Sequence, residues 1–159
     1  MTLANNRTMK FEALEERRVM TANVDIDLDD GILTIEGTDE NESVEISYTY
    51  DDGEIDEILV VVRDADGDVI KDKDYDVDDV NWIVANLNGG DDSIVNNTDV
   101  NMSADGGAGN DTLVGGTQAD YLFGGSGNDL LNGNGGYDYL GIGSVGLHGW
   151  KGSGTGEGR

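Results

Sequence analysis

Apolar residues in the C-terminal part of the chain recur with a nine-residue period. Between Gly106 and Gly141, four consecutive nine-residue units each carry leucine at the eighth position, as Leu113, Leu122, Leu131 and Leu140. The leucine is the middle residue of a three-residue segment, and successive side chains of a strand point to opposite faces. The pattern therefore predicts four short strands, each of which buries one leucine.

Upstream of these units, apolar and polar residues alternate, which is typical of half-buried strands. The alternation is clearest in three segments, residues 31–38, 44–48 and 83–87, and a strand is also predicted at residues 55–63. The dipeptide Asp66-Gly67 follows residues 55–63 and favours a tight hairpin turn. Residues 23–86 are therefore predicted to form an acidic, irregular β-rich segment.

The spacing of Asp64, Asp66 and Asp68 allows a second interpretation, because an EF-hand calcium loop begins with the same alternation of acidic residues. The rest of such a loop does not fit. Its sixth position lacks glycine, and its twelfth position is Tyr75 instead of glutamate. These residues are therefore interpreted as part of a hairpin.

The predicted strands of the nine-residue units are separated by six-residue segments that are rich in glycine and end in aspartate, at Asp111, Asp120, Asp129 and Asp138. Glycine tolerates positive φ, so such a segment turns tightly and exposes its carbonyl groups. Carbonyl and carboxylate oxygens are the ligands of calcium, which takes six to eight of them at about 2.3–2.6 Å. A flexible glycine-rich linker is the alternative, but a linker has no physical reason to keep leucine on a fixed period.

The full unit, G-G-x-G-x-D-x-U-x, is clearest in GGAGNDTLV at Gly106–Val114 and GGSGNDLLN at Gly124–Asn132. It resembles the calcium-binding repeat of RTX (hemolysin-type) proteins. The resemblance implies an all-β fold, a right-handed parallel β-roll or β-solenoid, in which residues 87–141 bind Ca²⁺. It also implies that two successive units complete one coil, so that units two apart stack and share an ion between their turns.

In this family, the metal ligands are the carboxylate at the sixth position and loop carbonyls, chiefly at the second and fourth positions. Carried over to this sequence, the resemblance implies metal ligands at Gly107, Gly109, Asp111, Gly116, Asp120, Gly125, Gly127, Asp129, Asn134, Gly136 and Asp138. Gln118 stands where the second unit should have glycine, which predicts a distorted turn there.

Two less regular units precede the array. Leu87–Val95 is a degenerate unit that adds Gly90 and Asp92 as metal ligands, and its turn is expected to stack below Gly106–Asp111 and close a third site. Asn96–Asp105 is a ten-residue rung without glycine. Further upstream, Glu42 occupies the position of the aspartate in a lead-in to the array.

The charge of the chain limits its partners. Its 159 residues carry 34 acidic and 9 basic side chains, a formal net charge of −25, with no lysine or arginine between Lys73 and Lys151. Nucleic acid and anionic lipid need a basic patch, so neither is an expected partner. The longest strongly apolar run, Ile58–Val62, is too short for insertion into a membrane. Calcium ions are the expected partners. They would relieve the repulsion between carboxylates and add stability to repeats whose core has one leucine per unit.

The two ends of the chain differ from the rest. Residues 1–22 are relatively basic, and Leu14–Met20 resembles the LEPR-XLL motif of exported bacterial proteins, with Glu16 in place of its proline. This segment lacks the apolar core of a secretory signal peptide, and it is predicted to act in export. Residues 142–159 are glycine-rich and are predicted to form a disordered tail.

These patterns favour a binding or structural role over catalysis. His148 is the sole histidine, and neither an H-E-x-x-H zinc motif nor a G-x-S-x-G nucleophile elbow occurs, so no enzyme activity is expected. The expected function is calcium binding by a secreted or cell-surface β-roll that folds on binding calcium and serves as a structural or adhesive module. The alternative is a fragment of a larger adhesin or secreted enzyme whose partner-binding or catalytic domain is missing.

Overall fold

The computed structural model describes residues 24–143 and 150–152. In chain order, the strands are β1 (Asp25–Asp29), β2 (Ile32–Glu36), β3 (Ser43–Asp51), β4 (Glu54–Arg63), β5 (Val69–Asp76), β6 (Trp82–Asn86), β7 (Ser93–Asn96), β8 (Met102–Asp105), β9 (Thr112–Val114), β10 (Tyr121–Phe123), β11 (Leu130–Asn134), β12 (Tyr139–Gly141) and β13 (Trp150–Gly152). A short 3₁₀ helix, Val77–Asp79, follows β5. The described residues contain no α-helix, which confirms the predicted all-β class.

The strands form two sheets around one apolar core. One sheet has the order β1-β2-β6-β8-β10-β12, and the other has the order β13-β11-β9-β7-β3-β4-β5. In the first sheet, the parallel strands are β2, β6, β8, β10 and β12. In the second sheet, they are β3, β7, β9, β11 and β13. Because the chain alternates between the sheets from β6 onward, each coil contributes one strand to each sheet. This arrangement is a parallel β-roll, as the repeat predicts.

The register of the parallel pairs places repeat units that are two apart directly against each other. Leu113 of β9 pairs with Leu131 of β11, and Leu122 of β10 pairs with Leu140 of β12. The first three of these leucines are buried, and Leu140 is half-buried. The predicted two-unit coil and its inward-pointing leucines are therefore confirmed.

The upstream segment is continuous with the array in both sheets. β2 pairs with β6 in parallel, and β3 pairs with β7 in parallel, so both sheets extend across residue 87 without interruption. Val44 of β3 opposes Ile94 of β7, which in turn opposes Leu113 of β9. β2 and β3 thus form the first coil of the roll, and β6 and β7 form the second.

A hairpin lies between these two coils. β4 and β5 pair antiparallel and extend the second sheet beyond β3, which confirms the predicted hairpin. In its turn, the N–H of Gly67 (φ +85°) donates to the Asp64 carbonyl at 2.9 Å. The Asp64 carboxylate accepts hydrogen bonds from the backbone N–H groups of Asp66 and Asp68. The first acidic residue of the EF-hand-like spacing therefore stabilises the turn itself.

The apolar core is unevenly distributed along the chain. Among the described residues, the buried apolar side chains of the repeats are Leu113, Leu122 and Leu131, and all the others precede Asp105. The reason is strand length, because the ten-residue strand β4 buries three alternate side chains whereas the three-residue strand β9 of the repeats buries one. Burial of a Val, Leu or Ile side chain is worth about 1.5–3 kcal/mol. Most of the hydrophobic stabilisation therefore lies upstream of the repeats.

The ends of the chain bear on two further predictions. Trp150–Gly152 forms β13 and pairs with β11, where the sequence predicts a disordered tail. β11 is otherwise an open strand edge, and its free backbone groups favour pairing.

The predicted export segment, residues 1–22, lies outside the described residues. Within the described part of the chain, no helix is long and apolar enough to cross a bilayer.

Candidate metal centre

The turns that join the two sheets stack in two columns, one at each edge of the roll. The first edge consists of the turns at residues 37–42, 87–92, 106–111 and 124–129. The second edge consists of the turns at residues 96–102, 115–120 and 133–138. The first edge brings together the predicted ligands Gly90, Asp92, Gly107, Gly109, Asp111, Gly125, Gly127 and Asp129. The second edge brings together Gly116, Asp120, Asn134, Gly136 and Asp138.

Acidic side chains at the sixth turn position form a ladder along the first edge. Asp129 Oδ1 accepts the N–H of Asp111 at 3.1 Å, and Asp111 Oδ1 accepts the N–H of Asp92 at 2.9 Å. Asp92 Oδ1 accepts the N–H of Glu42 at 2.7 Å. One oxygen of each aspartate thus ties its turn to the preceding turn in the column. The degenerate unit stacks below residues 106–111, as predicted.

The second edge has a shorter ladder. Asp138 Oδ1 accepts the N–H of Asp120 at 3.1 Å, and Asp120 Oδ1 accepts the N–H of Met102 at 2.7 Å. Asp120 Oδ2 accepts the N–H of Gly116 at 2.8 Å, so both oxygens of Asp120 have hydrogen-bond donors. The ladder ends at Met102 because the ten-residue rung places a buried apolar side chain at the acidic position.

The turn that contains Gln118 differs from the turns of the first edge. Gly107 and Gly125, at the second position of their turns, have φ of +90°, and Gly116 does not share this positive φ. The backbone still approaches its neighbour closely, because a Cβ atom on Gly136 would lie 2.3 Å from the Gln118 carbonyl oxygen. The prediction of a distorted second turn is therefore confirmed for its backbone conformation.

Three aspartates have a second carboxylate oxygen that is buried without a hydrogen-bond donor among the described residues, namely Asp92, Asp111 and Asp138. Such an oxygen is costly, because burial removes its water and nothing in the protein replaces it. Burial raises the pKa of Asp92 to about 7 and that of Asp120 to about 6. Burial also raises the pKa of Asp111 and of Asp138. A bound cation would supply the partner that these oxygens lack.

Main-chain carbonyls line the intervals between successive turns. Gly109 and Gly127, at the fourth position, have φ of +139° and +140°. A Cβ atom on Gly127 would lie 1.7 Å from the Gly109 carbonyl oxygen, and one on Gly125 would lie 2.0 Å from the Gly107 carbonyl oxygen. The carbonyls at the second and fourth positions of one turn therefore face the next turn. Glycine is needed here to allow that approach as well as the backbone conformation.

These donors suit a hard cation. The described residues contain no cluster of three or more His, Cys, Asp or Glu side chains that could hold a metal. Carbonyl oxygens must therefore complete the coordination of any ion at the aspartates. Calcium accepts six to eight oxygen ligands in flexible geometry, which such a mixture of carboxylates and carbonyls can supply. The role of each individual residue as a ligand stays a prediction.

A second ladder, at the fifth turn position, has no counterpart among the predicted site residues. Asn110 Oδ1 accepts the N–H of Asn128 at 3.0 Å, and Asp91 Oδ1 accepts the N–H of Asn110 at 2.8 Å. Asn41 Oδ1 accepts the N–H of Asp91 at 2.9 Å. The signal for it in the sequence is the Asn-Asp pair that recurs in GGAGNDTLV and GGSGNDLLN. These side chains hold the first edge together through hydrogen bonds alone.

Comparison with known proteins identifies the type of repeat in the array. A profile of the RTX calcium-binding nonapeptide repeat, in four copies, matches residues 105–140. This segment consists of RTX calcium-binding repeats. Neither a curated protein nor a solved structure shows significant similarity to the chain. RTX repeats imply calcium binding by a β-roll, and proteins that carry them are typically secreted. The turns at residues 37–42 and 87–92 lie outside the matched residues but continue the same column.

We expect the calcium-free fold to lose stability as the pH rises. The folded pKa of Asp92, about 7, exceeds the ordinary value of 3.8, so the folded state binds more protons than the unfolded state. This contribution is fully present below the unfolded pKa and is lost as the pH rises through the folded pKa. Calcium binds the deprotonated carboxylates, so calcium affinity should rise over the same window.

Thermal unfolding in calcium-free buffer at pH 5 and pH 8, repeated with calcium, measures both effects. The melting temperature should be higher at pH 5 without calcium, and the gain from calcium should be larger at pH 8. A calcium-free protein that melts at a higher temperature at pH 8 would contradict the prediction.

Proposed function

We propose that the chain is a secreted or cell-surface β-roll that completes its folding on binding calcium and serves as a structural module without catalytic activity. The observation that supports it most directly is the set of buried, unpartnered oxygens on Asp92, Asp111 and Asp138 within stacked turns. A formal net charge of −25 adds repulsion that cations relieve. In the repeats, one buried leucine per strand supplies little stabilisation of its own.

The expected gain from calcium is comparable to the total stability of a small domain. Extracellular calcium modules have dissociation constants of about 10⁻⁴–10⁻³ M. A tenfold excess of calcium over that constant contributes about 1.4 kcal/mol per site, so two or three sites contribute roughly 3–4 kcal/mol. Typical domains have unfolding free energies of about 5–15 kcal/mol.

A calcium titration followed by far-UV circular dichroism and by calorimetry tests this proposal. We expect β-structure to increase with calcium, with a midpoint near 10⁻⁴–10⁻³ M. Magnesium should substitute poorly, because it prefers strict octahedral coordination and retains its waters. An unchanged spectrum after chelation would contradict calcium-coupled folding. A midpoint below about 10⁻⁶ M would indicate a site that is already saturated at calcium levels far below extracellular ones, against the proposed location.

One observation favours an adhesive role in addition to a structural one. Four aromatic side chains line the outer face of the first sheet, with ring centroids 6.3 Å apart for Trp82–Tyr121 and Tyr121–Tyr139 and 5.6 Å apart for Phe123–Tyr139. Tyr121 and Tyr139 are 46% and 57% exposed. The charged residues of strands β2, β6, β8, β10 and β12 are Glu36 and Asp105, and both are acidic. Cations bind to aromatic faces and to carboxylates, so this face suits a positively charged partner.

A double substitution in this face tests the adhesive role. In the presence of calcium, Tyr121→Ala with Tyr139→Ala should weaken retention on a lysine-coated matrix severalfold beyond the loss caused by Tyr50→Ala. Tyr50 is a suitable control because it is 65% exposed and lies on the other sheet. Circular dichroism should show that the variants remain folded. Equal retention of the wild type, the double variant and the Tyr50 variant would contradict the adhesive role of the aromatic face. Binding would then be due to net charge.

A further inference from the structure

The first turn of the first edge is closed by its own side chains. Glu42 Oε2 accepts the backbone N–H of Thr38 at 3.1 Å, and the Thr38 hydroxyl donates to Glu42 Oε1. Glu42 is only 4% exposed, yet both of its oxygens have donors. Glutamate is one methylene longer than aspartate, so its carboxylate reaches back into its own turn. Asp111, at the equivalent position, has a buried oxygen without a donor.

The first turn of the second edge is closed in a different way. Asn96 stands at the position where the repeats have Gly115 and Gly133, and its side chain is buried inside the turn. Its Oδ1 accepts the backbone N–H of Thr98 at 3.0 Å and the Thr98 hydroxyl at 2.6 Å. Its Nδ2 donates to the Val100 carbonyl at 2.8 Å. An amide thus makes hydrogen bonds where the repeat turns have only glycine.

The N-terminal end of the roll is sealed without metal as well. Lys71 Nζ of β5 donates to the Val24 carbonyl at 2.6 Å and lies 3.6 Å from the Asp25 carboxylate. Lys73 Nζ donates to the Ile26 carbonyl. These lysines connect the edge strands of the two sheets, β5 and β1, above the part of the core that holds most of the buried apolar residues.

We infer that residues 24–105 form a calcium-independent template, and that calcium orders the repeats onto it from their N-terminal end. The inference rests on the proposed calcium function. The template contains the apolar core, the two self-closed turns and the lysine seal. The repeats contain short strands with one buried leucine each and two of the three carboxylate oxygens that are buried without donors. The third, on Asp92, lies in the template turn on which the first repeat turn stacks.

The template also offers a ready surface for the first repeat turn. The Asn88 carbonyl accepts the N–H of Ala108 at 2.9 Å, and the Ala108 carbonyl accepts the N–H of Gly90 at 2.9 Å. In a linear array each unit gains stability from its neighbour, so the unit that adjoins a folded neighbour orders first. Residues 106–111 should therefore order at the lowest calcium concentration, and the units after Gly124 should order at a higher one.

Hydrogen exchange of the full-length chain, read by mass spectrometry across a calcium titration, tests the inference. In calcium-free buffer, amides of β2, β3, β4 and β6 should remain protected, whereas amides of residues 106–141 should exchange at least about tenfold faster than with calcium. If residues 24–105 lose protection together with the repeats, calcium binding is confirmed but the template is refuted. If calcium changes no protection anywhere, the proposed calcium function itself fails.

Two substitutions at Glu42 sharpen the test. Glu42→Gln keeps the length of the side chain and one acceptor oxygen for the Thr38 N–H, its NH2 group can donate to the Thr38 hydroxyl oxygen, and it removes the charge. The calcium midpoint and the number of bound ions should therefore stay the same. Glu42→Ala removes the closure, so exchange of residues 33–48 in calcium-free buffer should rise at least about tenfold. A Glu42→Gln protein that binds one ion fewer would show that Glu42 is a calcium ligand and would overturn the inference. This readout remains available if Glu42→Ala does not fold.

Discussion

Replacing Gly127 by alanine should destabilise the calcium-loaded roll by roughly 2–6 kcal/mol. Gly127 has φ of +140°, and a non-glycine residue in such a region costs about 1–3 kcal/mol. The added Cβ would also lie 1.7 Å from the Gly109 carbonyl oxygen, which belongs to backbone and cannot move aside without opening the stack. Overpacking of this kind typically costs a further 1–3 kcal/mol.

Gly53 provides the matched control. It lies in the turn between β3 and β4 with φ of +90°, and a Cβ atom there would meet nothing within 4 Å. Gly53→Ala therefore carries the conformational cost without the clash, about 1–2 kcal/mol. In a chain of this size, 1 kcal/mol lowers the melting temperature by roughly 2–4 °C. The Gly127 variant should melt about 10 °C lower than the wild type in calcium, and the Gly53 variant only a few degrees lower.

The calcium midpoint separates the two variants further. Gly127→Ala pushes the turn at residues 124–129 away from the turn at residues 106–111. The carbonyls between these two turns are the expected calcium ligands, so calcium binding should weaken. Gly53→Ala lies in the hairpin turn and should leave the midpoint unchanged. Equal effects of the two substitutions on melting and on the midpoint would show that close stacking of the turns contributes nothing beyond backbone conformation.

The repeats could be predicted from the sequence because every interaction there has a fixed spacing. Leucine recurs at nine residues, and partners in neighbouring coils are 18 or 19 residues apart, as for Asp111 and Asp129 or Asp92 and Asp111. A local pattern of this kind specifies strand, turn and register at once. The two-sheet roll and the stacking of the degenerate unit follow directly from it.

The role of the upstream segment could not be predicted in the same way. Glu42 and Asp92 occupy consecutive steps of one ladder but are 50 residues apart, because the β4–β5 hairpin is inserted between the first two coils. The period is lost at that insertion, so the sequence indicates strands without indicating their neighbours. Strand pairing and burial in the folded chain decide which segments become adjacent.

The repeat pattern also could not predict the hydrogen bonds of individual side chains. In the sequence, glutamate in place of aspartate at position 42 is a weaker match to the repeat. In the structure, its extra methylene lets its carboxylate accept a hydrogen bond from the Thr38 N–H. Asn96 in place of glycine reads as a broken repeat, but its amide fills the turn. Departures from a repeat therefore have a physical meaning that only the three-dimensional contacts reveal.

Substitutions of paired aspartates should show which carboxylates act together. Asp111→Asn and Asp129→Asn preserve side-chain shape and remove charge, and each should weaken calcium binding at the first edge at least about tenfold, which is about 1.4 kcal/mol. The backbone N–H of Asp111 donates to Asp129 Oδ1 at 3.1 Å, so the two residues belong to one interval. Asp120 lies at the second edge, where its partners are Met102 and Asp138.

The double variant of Asp111 and Asp129 should therefore cost less than the sum of its single substitutions, because removal of either ligand already disables the shared site. The double variant of Asp111 and Asp120 should be closer to additive, since its two residues lie in separate columns. Cooperative folding of adjacent coils will reduce the contrast without reversing it. Calorimetric calcium titrations of the three single variants, Asp111→Asn, Asp129→Asn and Asp120→Asn, and of the two double variants give the coupling energies. The exposed Asp66→Asn serves as a control for lost charge. Stronger coupling of Asp111 to Asp120 than to Asp129 would mean that ions bridge the two edges of one coil instead of successive turns of one edge.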